Sequence, residues 1–198
     1  RADYTLAIGL PKLGHIMGSG SEVCGKIKVI DVGLPKLLLE EGDISLITKK
    51  NVSSILSKRS NFAHKNNFGH SLVLGGSHGL CGALSLACEA ALKSGSGLVS
   101  AATWEQNYPE FLSRLNTNEV MTGIIPSGGD PKGVESILRD LMKYQSIVIG
   151  PGLGQTEIAR EVALEVLNSY PGPVVVDADA IKVLSAKKDS DVFYKRKG

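Results

Sequence analysis

The sequence predicts an α/β fold: a mostly parallel sheet with helices on both faces, left incomplete within these residues. Two observations carry this. From His70 onward, short apolar strands alternate with helical segments, a pattern that builds parallel sheets covered on both sides. At the start of that pattern, His64 to Ala102 reads as strand, glycine-rich turn, helix of small residues, glycine turn and strand, which is one βαβ unit.

The elements follow in order. Tyr4 to Leu10 is an apolar, β-branched run stopped by Pro11, and is read as a strand. Gly14, Gly18 and Gly20 mark a loop after it. Lys26 to Val32 alternates charged and apolar residues as a strand with one wet face does, and Leu34-Pro35 ends it. Asp43 to Ile47 is read as a short strand. Thr48 then caps a helix from Lys49 to Ser57, with Val52, Ile55 and Leu56 on one face. Arg59 to Gly69 is polar and loop-like, and a linker is placed near Asn51 to Phe68. Strand 70–75 leads to helix 80–94, and strand 97–102 to an irregular or helical stretch 105–115. Glu119 to Ile125 is a strand. Asp130-Pro131 opens a helix to about Tyr144, with proline in the first turn where its missing N–H costs nothing. Strand 146–150 leads through Gly150-Pro151-Gly152-Leu153-Gly154 to helix 155–169. Strand 173–177 leads to a helix from Asp179 to about Ala186.

Bulk properties narrow the function classes. The hydrophobic share is 42% and the charged share 21%, near the globular average. A net charge of +2, with no basic stripe interleaved with aromatics, argues against nucleic acid. Lys58-Arg59 and Lys195-Arg196-Lys197 are read as solvated surface. No apolar run approaches the ~18 residues a membrane helix needs. Cys24, Cys81 and Cys88 are odd in number and form no C-x-x-C, so they are read as buried or half-buried thiols in a reducing compartment. The first residues lack an initiator methionine and resemble the inside of a strand. The charged stretch from Asp189 to Gly198 closes no sheet. Truncation at both ends is therefore expected.

Three strand ends carry the residues able to do chemistry. In open α/β sheets, ligands sit outside the carboxyl ends of the strands. At the first, Gly75-Gly76-Ser77-His78-Gly79-Leu80-Cys81-Gly82-Ala83 has the spacing G-G-x-x-G-x-x-G, which departs from G-x-G-x-x-G and argues against a dinucleotide site of that type. Its glycines serve either a tight turn or close approach of a ligand to bare backbone. The second, Gly150 to Gly154, lacks the G-K-[ST] ending of a P-loop; it is either a helix-entry turn or a backbone cradle for a phosphate or polar ring edge. At the third, Asp177 ends a buried strand and is the stronger candidate. Asp179 is placed either as a helix N-cap or as a substrate contact. After the first turn, Ala83, Leu84, Ala87, Ala90 and Ala91 form a small-residue face for packing on the sheet. His64 and His70 are too scattered for a metal site, and His78 is read either as an inert loop histidine or as a hydrogen-bond partner of a substrate.

Taken together, HKNNFGHSLVLGGSHGLCGA, ALKSGSGLVSAAT, NEVM, VIGPGLG and VVVDADAI resemble, in order and spacing over roughly residues 62 to 185, the ADP/ATP-dependent NAD(P)H-hydrate dehydratases. The leader YTLAIGLPKLGHIMGSGSEVCGKIKVIDVGLP is similar to the last strands of the Rossmann-like NAD(P)H-hydrate epimerase domain fused before many bacterial dehydratases. The resemblance implies a ribokinase-like fold over 51–198 and an epimerase remnant with the start of a linker over 1–50. It implies that the dehydratase phosphorylates the ring hydroxyl of the S epimer of NAD(P)H hydrate with ADP (or ATP) and Mg2+, after which phosphate leaves and the reduced cofactor is restored. It further implies an epimerase that interconverts the R and S hydrates with K+, a cytoplasmic location, and a homo-oligomer, tetrameric or larger. By the resemblance, Ala83 and Gly154 contact the hydrate, and Gly75, Gly76, Gly152, Asp177 and Asp179 line the same crevice.

The departures matter equally. The catalytic aspartate of such enzymes lies in a G-T-G-D segment, a substrate histidine in T-P-H-P-G-E, and a nucleotide-binding stretch in K-G-x-x-T; none occurs here. These 198 residues alone are therefore expected to be inactive, with the catalytic residue beyond Gly198. A ribokinase-like kinase of heterocyclic alcohols and a non-catalytic nucleotide-binding remnant are the competing expectations.

Overall fold

A computed structural model describes residues 1–40, 44–56, 58–126, 139–186, 189, 191 and 192. The chain divides into two compact units, Arg1–Arg59 and Ser60–Gly198.

In the first unit, β1 (Tyr4–Ile8) pairs in parallel with β2 (Lys26–Ile30), Tyr4 lying opposite Lys26. Short helices α1 (Leu13–Ile16) and α2 (Ser19–Val23) connect them, and α3 (Lys36–Glu40) follows. Residues 44–48 carry no regular structure, so the strand expected at Asp43 to Ile47 does not form; Asp43 itself lies outside the described residues. Among the described residues no strand pairs with this run to supply the ladder that so short an apolar segment requires. Helix α4 (Lys49–Ile55) begins where expected. The Thr48 hydroxyl accepts from the amide of Asn51 at 3.3 Å, and the Asn51 side chain accepts from the Thr48 amide at 2.9 Å.

The second unit holds a five-stranded, all-parallel sheet. Its strands are β3 (His70–Leu74), β4 (Leu98–Trp104), β5 (Val120–Ile125), β6 (Ser146–Ile149) and β7 (Val174–Val176), in the order β5-β4-β3-β6-β7. The chain builds outward from β3 to β5, then returns to the other side of β3 and builds outward again through β6 and β7. Right-handed crossovers require the connecting helices to change face when the direction of building reverses. Helices α5 (Cys81–Ser94) and α6 (Tyr108–Arg114) accordingly cover one face, with Val73, Val99, Ala101 and Val120 beneath them. Helices α7 (Glu157–Ser169) and α8 (Ala178–Ala186) cover the other, over Leu72, Leu74, Ala102, Ile147 and Ile149. Residues 72, 73 and 74 alternate between the two cores, as strand periodicity demands.

Two expectations are corrected. The buried stripe of α5 is Cys81, Leu84, Ser85 and Cys88, while Ala90 points to solvent. The thiols and Leu84 fill the space over the sheet, and Ala87 and Ala91, partly buried, pack against them. Strand β7 is half-buried rather than buried: Val175 is 59% exposed, because β7 is the edge strand among the described residues. The helix expected from Asp130 falls mostly outside the described residues; its last part is a 3-10 turn at Leu141–Lys143. No helix among the described residues is long and apolar enough to cross a membrane.

Candidate functional site

The direction of chain building reverses between β3 and β6, and at such a switch point the loops leaving the two strands separate and open a crevice at their carboxyl ends. The loops leaving β3 and β6 are the two glycine segments, so the fold itself brings them together.

Bare backbone is required here for a physical reason. A Cβ on Gly75 would stand 2.1 Å from the carbonyl oxygen of Pro151, and one on Gly150, whose φ is +124°, would stand 1.8 Å from that of Asp177. Any side chain at either position would force the loops apart. The loops then bond to each other. The amide of Gly76 donates to the Pro151 carbonyl at 3.1 Å, and the amide of Ser77 donates to the carbonyl of Gly152. Gly150 is tied back to β3 through Leu74 at 3.1 Å. Backbone amides at these positions are therefore spent on joining the loops, and are not available to an anion as the sequence alone allows.

Side chains from β4 and from the first turn of α8 hold this frame. The buried Thr103 hydroxyl, near the end of β4, donates to the Gly76 carbonyl at 2.7 Å. The Trp104 indole N–H donates to the Leu153 carbonyl at 2.9 Å. The Asp179 carboxylate, 6% exposed, accepts from the Gly154 amide at 3.1 Å and from the Gln155 side chain at 3.3 Å. Asp179 is thus no N-cap. It sits in the first turn of α8 and reaches back to the loop after β6, because the adjacent helix entry places that amide within its range. Asp177 contributes through its backbone, donating to Ile149 and accepting from Ala180, while its residue surface is exposed.

The mouth of the crevice lies along the start of α5. This helix begins at Leu80 without a side-chain cap, and nothing stands within 4 Å of the Cβ positions of Gly79 and Gly82. Leu80 lies against Gly152, and the Ala83 amide donates to the Leu80 carbonyl at 3.1 Å. Ala83 is half-buried beside the joined loops. Gly75, Gly76, Gly152, Gly154 and Asp179 are therefore directly assembled. Ala83 follows through Leu80, and Asp177 through its main chain.

Glu110 on α6 braces the opposite rim. Its carboxylate accepts from the Gly79 amide at 3.3 Å and from Arg114 at 3.1 Å, with His78 at 3.6 Å. The Gly79 hydrogen bond, and next Arg114, hold this carboxyl below its usual range. Thr103, Trp104 and Glu110 escaped the sequence reading. For the first two, the available signal was polar handles at the carboxyl end of a strand beside the switch point.

The family model described as NAD(P)H-hydrate dehydratase matches residues 71–198. A bifunctional NAD(P)H-hydrate repair enzyme from Moorella thermoacetica is 34% identical over 193 residues, covering 93% of this chain and 36% of its own length. The chain thus spans about a third of that relative. A ribokinase-like superfamily protein from Enterococcus faecalis superposes with a TM-score of 0.61 at 24% identity, over 72% of this chain and 48% of its own, and likens the fold. An ADP/ATP-dependent NAD(P)H-hydrate dehydratase from Bacillus subtilis, crystallised with ATP and Mg2+, superposes with a TM-score of 0.53 at 31% identity, over 67% of this chain and 45% of its own. On the match over residues 71–198, this chain, with its ribokinase-like sheet and joined glycine loops, belongs to the NAD(P)H-hydrate dehydratase family.

Proposed function

We propose that residues 51–198 form the hydrate-binding part of an ADP-dependent NAD(P)H-hydrate dehydratase, and that residues 1–50 are the end of a fused epimerase domain. The observation that carries the reading is the pair of mutually bonded glycine loops at the switch point, with Asp179 behind Gly154. Ala83 and Gly154 contact the hydrated nicotinamide; Gly75, Gly76, Gly152 and Asp177 shape the crevice around it. The small residues let a flat ring lie close to the main chain, and Asp179 holds the Gly154 peptide in one orientation.

The reaction transfers a phosphoryl group from ADP to the ring hydroxyl, leaving AMP. The C–O bond then breaks, phosphate departs with its electron pair, and the neighbouring ring carbon gives up a proton to solvent, so that the C–H electrons form the double bond of the reduced nicotinamide. ATP serves as the alternative donor. Magnesium enters with the nucleotide, held chiefly by phosphates and water. Among the described residues no three His, Cys, Asp or Glu side chains gather as a protein cage for it. The aspartate that activates the hydroxyl belongs, by resemblance, to a G-T-G-D segment absent from these 198 residues. Potassium at the epimerase centre, a cytoplasmic location and assembly into tetramers or larger complete the proposal.

The test is recovery of reduced-nicotinamide absorbance from NADPH hydrate with Mg2+ and ADP. It uses the natural polypeptide that carries this chain, with the 198 residues alone as control. Recovery only by the former supports the reading. No recovery with folded protein, under ADP or ATP, overturns it in favour of a heterocyclic-alcohol kinase or a nucleotide-binding remnant. A stable phosphate ester accumulating on such an alcohol selects the kinase.

A further inference from the structure

We infer that Thr103 and Trp104, the last two residues of β4, are positioning residues that lock one peptide plane in each glycine loop. The inference deepens the reading above and rests on it for its substrate. A peptide carbonyl and the amide that follows it share one rigid plane and point in opposite directions. The Gly76–Ser77 plane is held at both ends: its carbonyl accepts from the Thr103 hydroxyl at 2.7 Å, and its amide donates to the Gly152 carbonyl. The Leu153–Gly154 plane is held likewise, its carbonyl accepting from the Trp104 indole at 2.9 Å and its amide donating to Asp179 at 3.1 Å.

Glycine-rich backbone has low barriers to reorientation of such planes, since positive and negative φ are both open to it. Gly76 and Gly154 have φ of +76° and +86°. Successive strand residues face opposite sides of a sheet, so one strand end serves both loops. Thr103 reaches the loop before α5, and Trp104 reaches the loop before α7. Both donors are buried, at 0% and 5% exposure, where water cannot replace the hydrogen bond lost with either one. Registry between the loops is thereby set by β4, a strand that contributes no loop of its own to the pair.

The test uses the natural polypeptide carrying this chain with Thr103→Val, Thr103→Ser and Trp104→Phe. With saturating Mg2+ and ADP, Thr103→Val and Trp104→Phe each raise KM for NADPH hydrate by roughly tenfold, the equivalent of one lost hydrogen bond. KM for ADP and kcat stay within about twofold, and Thr103→Ser restores the wild-type KM. Amide exchange gives a local readout that needs no turnover. The Ser77 amide in Thr103→Val, and the Gly154 amide in Trp104→Phe, exchange at least about tenfold faster, while strand amides of β3 keep their protection. Unchanged exchange at both amides overturns the inference, as does a hydrate KM that stays at the wild-type value in both variants while the wild type turns over. A wild type inactive with ADP and ATP overturns the functional reading instead, and the exchange measurement then decides the clamp alone. Each position is read independently, so failure of one variant to fold leaves the other decisive.

Discussion

The Asp179 carboxylate accepts a hydrogen bond from the Gly154 amide at 3.1 Å, joining the first turn of α8 to the loop after β6. The carboxylate is buried, and its second oxygen receives the Gln155 amide and the Lys182 ammonium. Charge-assisted bonds to a backbone amide are stronger than neutral ones. Asp179→Ala leaves the Gly154 amide without its acceptor and costs about 1–3 kcal/mol. Asp179→Asn keeps an oxygen acceptor and costs less. Lys182 is largely exposed, so its loss as a partner adds little. Urea denaturation of the three proteins checks the ranking; equal midpoints for Ala and wild type would show the bond to be idle.

Two glycines separate folding from binding. Gly150→Ala meets both a φ of +124° and a carbonyl 1.8 Å from the new carbon, so it costs more than ~3 kcal/mol. Gly82→Ala sits within α5 with open space around it, and stabilises by ~0.5–1 kcal/mol through helix propensity. The same methyl stands beside Ala83 at the mouth, so hydrate affinity falls as stability rises. Thermal melts paired with hydrate KM give the result, and a Gly82→Ala protein that binds hydrate as well as wild type places the ligand elsewhere.

The βαβ unit and the glycine loops were legible because their signals are local. Glycine marks where a side chain cannot stand, and short apolar strands mark where both faces are covered. The family resemblance was legible for the same reason, since its motifs are these turns. Asp179 was harder: its position at a helix start is what an N-cap looks like, and its actual partner lies 25 residues earlier in the chain. Thr103 and Trp104 offered only their place as polar handles at a strand's carboxyl end; their partners lie 27 and 49 residues away and are main-chain carbonyls, which no side-chain pattern announces. Of the small-residue face of α5 only Ala90 turns to solvent, because helical period fixes which residues share a face but not how far that face is centred on the sheet.

The thiols are expected to differ in reactivity. Cys81 and Cys88 are buried on the sheet side of α5, and burial pushes both thiols up, Cys88 to about 12. Cys24 is partly exposed in the first unit. Since the thiolate is the reacting form, alkylation of the native chain at mildly alkaline pH modifies Cys24 and spares the other two. All three react in denaturant. Mass spectrometry after a timed iodoacetamide pulse checks this, and equal labelling of Cys88 in the native state would contradict the packing of α5.

His70 makes stability depend on pH. Its ring packs edge-on to Tyr144 at 4.6 Å, and its Nε2 pairs with the Ser100 hydroxyl at 2.8 Å. Burial first, and Lys143 next, lower its pKa from the ordinary value of about 6.5. The folded state therefore favours the neutral ring, and the unfolded chain binds the proton first as pH falls. The contribution is full above about pH 6.5 and is lost progressively as pH drops toward the lowered folded value. His70→Gln keeps polar reach to Ser100 and removes the titration. Chemical denaturation between roughly pH 7.5 and 5 should show wild-type stability falling more steeply than that of His70→Gln, after carboxylate effects common to both cancel. Parallel pH profiles would show that His70 titrates alike in both states, and that its burial beside Lys143 does not disfavour the charged ring.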